Sequence, residues 1–171
     1  MAMPPDVARP GSSLGGGPVS SVSQKNPIRL FVCHVWTDND DYQRVFEYLE
    51  SADNFFYRNT STPDKKPGGD KEALREDLRK QIGEAEVVIL PATLYRRNVD
   101  WVEFELNCAK AYDKPVLVLE PFGGTETLAP TVQELADDII PWDQRQLVDA
   151  IKRQARHEET TRFDMIEFKL D

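Results

Sequence analysis

The chain has 171 residues, 40% hydrophobic and 30% charged, which is typical of a soluble globular protein with one sizeable core. The net charge of −9 argues against binding to nucleic acid or to an anionic membrane surface. With two histidines, and two cysteines outside any zinc spacing, we expect no metal site, and we expect Cys33 and Cys108 to be buried thiols. The sequence shows neither an apolar run long enough to span a membrane nor a signal peptide, so we expect a cytoplasmic protein.

Residues 1–27 are rich in proline, glycine and serine and carry almost no large apolar side chains. This composition predicts a disordered leader, with a folded domain over residues 28–156. The remaining residues, 157–171, form a C-terminal tail in which Phe163, Ile166 and Phe168 are compatible with one apolar stripe or, within MIEFKL, with an extra strand. We expect this tail to dock on this chain or on another.

Five short apolar segments predict buried strands. In chain order they are IRLFVC, FFYRN, EVVILPAT, KPVLVLEP and DDIIPWD. Helical spacing of apolar residues predicts helices between and after them, in YQRVFEYLESA, KEALREDLRKQIGEA, the segment from Asp100, LAPTVQELA and QRQLVDAIKRQARHEE. Continuously apolar strands that alternate with helices predict an α/β flavodoxin-like fold, a five-stranded parallel sheet with helices on both faces. Ligands of such folds bind beyond the carboxyl ends of the strands.

The segment NVDWVEFELNCAK carries two glutamates with different surroundings. Glu103 lies three residues after Asp100, a spacing close to a capping box, and it shares a polar helix face. Glu105 instead shares a mostly apolar face with Trp101 and Cys108, where a carboxylate is rare without a partner. Two interpretations of Glu105 remain open at this point: a buried ion pair, with Arg58 or His34, and a catalytic group.

Four segments resemble, in order, parts of bacterial TIR-like domains. RLFVCHVWTDNDDY is similar to the first strand and loop, FFYRNTSTP to the second strand and its loop, DWVEFELNCAKAYDKPVLVL to the third helix and the next strand, and IIPWDQRQLVDAI to the closing strand and helix. The subgroup resembled is that of short TIR-like proteins such as the NAD-consuming subunit of Thoeris antiphage systems. In that family a tryptophan is followed four residues later by the catalytic glutamate, as Trp101 is by Glu105.

The resemblance implies an NAD+ glycohydrolase or ADP-ribosyl cyclase that takes NAD+ as its substrate and needs no cofactor, with Glu105 as the catalytic residue. Nicotinamide is already a cationic leaving group, so one carboxylate that stabilises the ribosyl cation suffices. The substrate-binding residues that we predict follow three strands or share the helix face with Glu105: His34, Trp36, Tyr57, Arg58, Asn59, Thr93 and Trp101. The resemblance also implies a nucleotide signal, a downstream effector that senses it, and homo-oligomers formed through TIR contacts.

Three alternatives stay in view. The chain could be a TIR module that only binds other TIR domains, or a nucleoside deoxyribosyltransferase, which shares the fold and a glutamate nucleophile. It could also be an unrelated flavodoxin-like or receiver domain. However, a receiver requires an aspartate after the third strand, where this chain has LPAT, and CHVWTDND lacks the glycines of a Rossmann turn.

Overall fold

The computed structural model describes residues 22–35, 40–63, 70–123 and 127–157. Within them the strands are Ile28–Val32 (β1), Tyr57–Asn59 (β2), Val87–Pro91 (β3), Val116–Leu119 (β4) and Asp138–Ile140 (β5). The α-helices are Asp40–Glu50 (α1), Lys71–Glu84 (α2), Val99–Ala111 (α3), Pro130–Leu135 (α4) and Gln144–Arg156 (α5). A single 3₁₀ turn, Ala92–Leu94, follows β3.

The five strands form one parallel sheet in the order β2-β1-β3-β4-β5. Successive side chains of a strand point to opposite faces, and both faces are covered here. Leu30 and Val32 of β1 pack in the core formed with α1 and α5, whereas Phe31 packs in the core formed with α2 and α3. This confirms the predicted α/β flavodoxin-like arrangement with helices on both faces. The order reverses between β1 and β3, and such a switch point opens a crevice at the carboxyl edge of the sheet.

Residues 22–27, which the composition assigned to the disordered leader, pack on the domain. Val22 contacts the core on the α1 and α5 side. The Arg156 guanidinium at the end of α5 donates to the backbone carbonyls of Asn26 at 3.4 Å and of Pro27 at 3.1 Å, besides its ion pair with Glu86. The buried guanidinium has more N–H groups than one carboxylate can accept, so the chain before β1 supplies the other acceptors. The packed domain therefore begins before Ile28, and residues 1–21 lie outside the described residues.

α5 is the last element that the structure describes. The helix ends at Arg156, and His157 caps it with a left-handed backbone, φ 57°. The rest of the predicted tail, residues 158–171, lies outside the described residues. Among the helices that the structure describes, none combines the length and the apolar character that crossing a bilayer requires.

Candidate functional site

Glu105 lies in the second turn of α3. This helix comes after β3 in the chain, and β3 is one of the two strands at the switch point. Its side chain is completely inaccessible to solvent, which confirms that it lies on the buried face of the helix. Among the described residues, neither carboxylate oxygen has a hydrogen bond of ordinary geometry, and none forms an ion pair with it. The ion pair with Arg58 or His34, one of the two interpretations of Glu105, is therefore absent from this part of the chain.

Burial sets the protonation of Glu105. It raises the pKa of this carboxyl well above its usual range, because the charged form loses its hydration. The Cys33 thiol and the backbone N–H of His34, both just after β1, act in the opposite direction and favour the carboxylate, but burial outweighs them. Glu105 is therefore held next to the end of β1 as a group that resists ionisation.

Both cysteines are free and buried, as the sequence predicted. Burial raises the pKa of the Cys33 thiol well above its usual range, and ionisation of the neighbouring Glu105 would raise it further. A thiol that stays protonated is a poor nucleophile. Cys33 therefore serves as a small neighbour of Glu105 rather than as a reactive group.

His34 lies in the core at the end of β1, with only 3% of its surface exposed. Its ring is 5.6 Å from the Phe31 ring and 6.0 Å from the Tyr42 ring, which meets it edge-on. Nδ1 is 3.2 Å from the Val32 carbonyl oxygen. Because a carbonyl only accepts, Nδ1 must carry the proton of this hydrogen bond. The backbone N–H of His34 therefore lies close to Glu105, while its ring is held by Phe31, Tyr42 and the Val32 carbonyl.

Asn59 belongs to a polar network beside His34 that includes two residues missing from the sequence prediction, Tyr42 and Ser61. The Asn59 amide donates to the Tyr42 hydroxyl at 3.3 Å and accepts from the Ser61 backbone N–H at 2.9 Å. The Tyr42 and Ser61 hydroxyls are 2.8 Å apart. Tyr42 shares the buried face of α1 with Val45, and this helical spacing was the signal that could have found it.

Thr93 also lies at the carboxyl edge, in the turn after β3. Its hydroxyl donates to the carboxylate of Asp41, in the first turn of α1, and Asp41 also pairs with Arg44. Thr93 thus connects the end of β3 to the helix that follows β1.

Two predicted site residues lie elsewhere. Tyr57 pairs with Ile28, the first residue of β1, so it lies at the amino end of the strands, opposite the crevice. Its hydroxyl donates to Glu50 at 2.5 Å, and burial together with this bond raises the pKa of Tyr57. Arg58 is exposed, and in the strand register it lies opposite Arg29 of β1. The pairing register, which the sequence does not show, puts residues 61–63 rather than Tyr57 at the level of the crevice.

Trp101 lies on the α2 side of α3. Its ring is 5.9 Å from the Phe104 ring in an edge-on contact and 5.8 Å from the Arg75 guanidinium. It lines a groove of about 560 Å³ between α2 and α3. The contacts with Phe104 and Arg75 thus put Trp101 in this groove. The remaining predicted residue, Trp36, lies outside the described residues.

The predicted helix cap at Asp100 is wrong. The helix begins at Val99, and its N-cap is Asn98, whose side chain accepts from the Trp101 backbone N–H at 3.3 Å. Glu103 accepts a hydrogen bond from the Tyr95 hydroxyl at 2.6 Å instead of closing a capping box. Glu103 therefore has a structural partner, as expected, but a different one.

The arrangement provides one buried carboxyl group at the β1/β3 switch point, next to the Cys33 thiol and the His34 backbone N–H. The His34 ring lies against Tyr42, which belongs to the hydroxyl and amide network. Within the described ranges, no cluster of three or more histidine, cysteine, aspartate or glutamate side chains could hold a metal ion. Such a site can stabilise or protonate a group of a bound ligand through Glu105, without a nucleophilic thiol.

Comparisons with known proteins identify the family of this chain. No curated protein matches the chain. The family described as Thoeris protein ThsB, TIR-like domain, matches residues 31–125, which is more than half of the 171 residues. The matched segment contains the end of β1 and all of β2 to β4, and with them Cys33, His34 and Glu105. The chain therefore belongs to the family of Thoeris ThsB TIR-like domains.

Proposed function

We propose that this protein cleaves the bond between nicotinamide and ribose in NAD+, with Glu105 as the catalytic residue. The observation that carries the proposal is the complete burial of this carboxyl group at the switch point of a TIR-like sheet. Buried, perturbed carboxyl groups in a ligand-binding crevice are candidates for catalysis. Membership of the Thoeris family supports a role of the TIR domain in defence.

The chemistry needs only this one group. When the bond between C1′ and the pyridinium nitrogen breaks, both electrons leave with nicotinamide, which becomes neutral, and the ribosyl carbon becomes cationic. A carboxylate beside this cation lowers the barrier electrostatically. Water then adds to C1′ and loses a proton to give ADP-ribose, or a nucleophile of the same molecule closes a ring.

The raised pKa of Glu105 fits this role once the cationic substrate is bound. In the described state the carboxyl resists ionisation because it is buried without a cation beside it. A bound pyridinium ribose supplies that cation and favours the carboxylate. The charge on Glu105 thus develops when the substrate that needs it is present. The nucleotide product then acts as a signal for a downstream effector in antiphage defence.

The test is nicotinamide release, measured by mass spectrometry in cells before and after phage challenge and with purified protein. Glu105→Gln keeps the size of the side chain but removes its charge, and should lower the rate about 10²–10³-fold. Glu103→Gln, on the same helix, is the matched control and should change the rate little. Wild-type rates in Glu105→Gln, or no NAD+ loss by the wild type in challenged cells, would refute the proposal.

A second candidate function is supported by the same burial. A carboxyl with no exposed surface is also what a TIR module that only binds other TIR domains would show. In that case both glutamine variants would protect cells as well as the wild type. A deoxyribosyltransferase would instead exchange free bases, which the same mass spectra would reveal.

A further inference from the structure

Phe122, in the loop after β4, is an exposed aromatic ring in an organised setting. It is 49% exposed, although large apolar side chains of this domain are mostly buried. The Arg44 guanidinium lies over the Phe122 ring, 3.9 Å from its centroid, and 5.8 Å from the centroid of the Trp142 ring. The two aromatic rings meet edge-on at 5.7 Å. We call Phe122, Arg44 and Trp142 the aromatic platform.

Trp142 and Arg44 of the aromatic platform are fixed by further contacts with the domain. Trp142 donates its indole N–H to the Glu120 carbonyl at 2.7 Å and packs edge-on against Tyr48. Arg44 is paired with Asp41, which in turn accepts from the hydroxyl of Thr93 in the turn after β3. The contacts connect α1 with the segments after β3, β4 and β5. The platform is therefore part of the carboxyl edge, where ligands of this fold bind.

About half of the surface of Phe122 is accessible, and one face of its ring is covered by the Arg44 guanidinium. The next residue, Gly123, adopts φ +93°, which favours glycine, and no described atom outside its chain neighbours lies within 4 Å of a Cβ built there. An aromatic ring that is held by a cation and half accessible is a stacking surface for a planar group, and every nucleobase offers a π face.

The charges near the aromatic platform favour a nucleotide over a neutral aromatic ligand. Arg44 is neutralised by Asp41, but Arg96 and Arg97 follow β3 on the same edge of the sheet. The Arg96 guanidinium donates to the Thr127 carbonyl across the gap to the segment after β4. Cations between the ends of β3 and β4 suit the phosphates of a ligand in a chain whose net charge is −9.

The spacing of the strands relates the aromatic platform to Glu105. Glu105 lies by the end of β1, and Phe122 follows β4, two strands away in the sheet. Neighbouring strands lie about 4.8 Å apart, so the two ends are separated by about 10 Å along the edge. An extended dinucleotide can span this distance between its two heterocycles.

We propose that the aromatic platform stacks the purine base of a nucleotide, which would be the adenosine end of the dinucleotide whose ribosyl bond lies at Glu105. Only the assignment of this base to the adenosine end of the dinucleotide rests on the proposed function. The base-stacking site itself is carried by Phe122, Arg44 and Trp142 and can be tested without any cleavage reaction.

The experiment measures AMP binding to the full chain by titration calorimetry, with Trp142 fluorescence as a second readout. Phe122→Ala should weaken AMP about 5- to 150-fold, the range found when an aromatic group that stacks a base is removed. Phe122→Trp keeps a π face and should bind AMP like the wild type. Tyr112→Ala is the matched control, because Tyr112 is 43% exposed at the far end of α3, and it should have no effect.

Ribose 5-phosphate, which lacks the base, should bind far more weakly than AMP and should not respond to Phe122→Ala. Thermal melts of all variants check that they are folded. No AMP binding by the wild type, or equal affinity of wild type and Phe122→Ala, would overturn the inference. Glu105→Gln should keep its AMP affinity. Normal AMP binding without nicotinamide release in challenged cells would therefore contradict the proposed function alone.

Discussion

Replacing Glu105 by glutamine should stabilise the protein at neutral pH, and the gain should shrink as the pH falls. The native state holds the carboxyl proton more tightly than the unfolded chain does, because burial raises its pKa. A raised native pKa gives a stabilising contribution that is complete below the unfolded pKa and is lost as the pH rises toward the native pKa. Glutamine does not titrate, so its variant escapes this loss.

The unfolded pKa of glutamate is about 4.3, and one pH unit corresponds to about 1.36 kcal/mol. Between the unfolded pKa and the raised native pKa, the wild type therefore loses stability at roughly 1.4 kcal/mol per pH unit, and the variant keeps it. In a domain of this size, each kcal/mol of stability changes the melting temperature by roughly 2–4 °C.

The assay is urea unfolding of wild type and Glu105→Gln at several pH values between about 4 and 8. Glu103→Gln is the control: its neutral amide oxygen accepts the hydrogen bond from Tyr95 more weakly than the carboxylate does, and it should be slightly less stable than the wild type at neutral pH. A stability difference between Glu105→Gln and wild type that does not change with pH would refute the reasoning. So would a glutamine variant that is less stable than the wild type at neutral pH.

Three further predictions concern the scaffold. Asn98→Ala should cost about 0.5–2 kcal/mol in urea unfolding, because it removes the N-cap of α3, whereas Asp100→Asn should cost less, since only its interaction with the helix dipole is lost. Deleting residues 2–26 should lower the melting temperature measured by circular dichroism, while deleting residues 2–21 removes no described contact and should leave it nearly unchanged. Arg156→Met should cost about 3–5 kcal/mol in urea unfolding, because it leaves a largely buried carboxylate without its main partner; a cost below 1 kcal/mol would contradict this.

The sequence alone was sufficient for the layered architecture. Short, continuously apolar segments such as VVILP predict strands buried on both faces, and their alternation with amphipathic helices leaves few topologies. The same periodicity placed Glu105 on the buried face of α3, at i+4 from Trp101 and i−3 from Cys108, and the structure confirms its burial. Its catalytic role stays a prediction.

Local patterns were less reliable at the ends of elements. Asn98 and Asp100 are both good N-cap residues, and a shift of two positions changes which of them closes the helix. Tyr57 is another example, because the apolar run FFYRN does not reveal which of its residues pair with β1. Strand register depends on the partner strand, and a shift moves a side chain from one end of the sheet to the other.

Spacing within the chain determined which side chains are buried, because helical and strand periodicities are properties of neighbouring residues. The tertiary structure alone decided which distant side chains meet: Arg44 with Phe122 and Trp142, Asp41 with Thr93, and Arg156 with the chain before β1. These contacts join residues that are far apart in the sequence, and their geometry follows from strand order and helix packing. No local pattern encodes that order, since the free energy that selects it comes from burying both faces of the whole sheet at once.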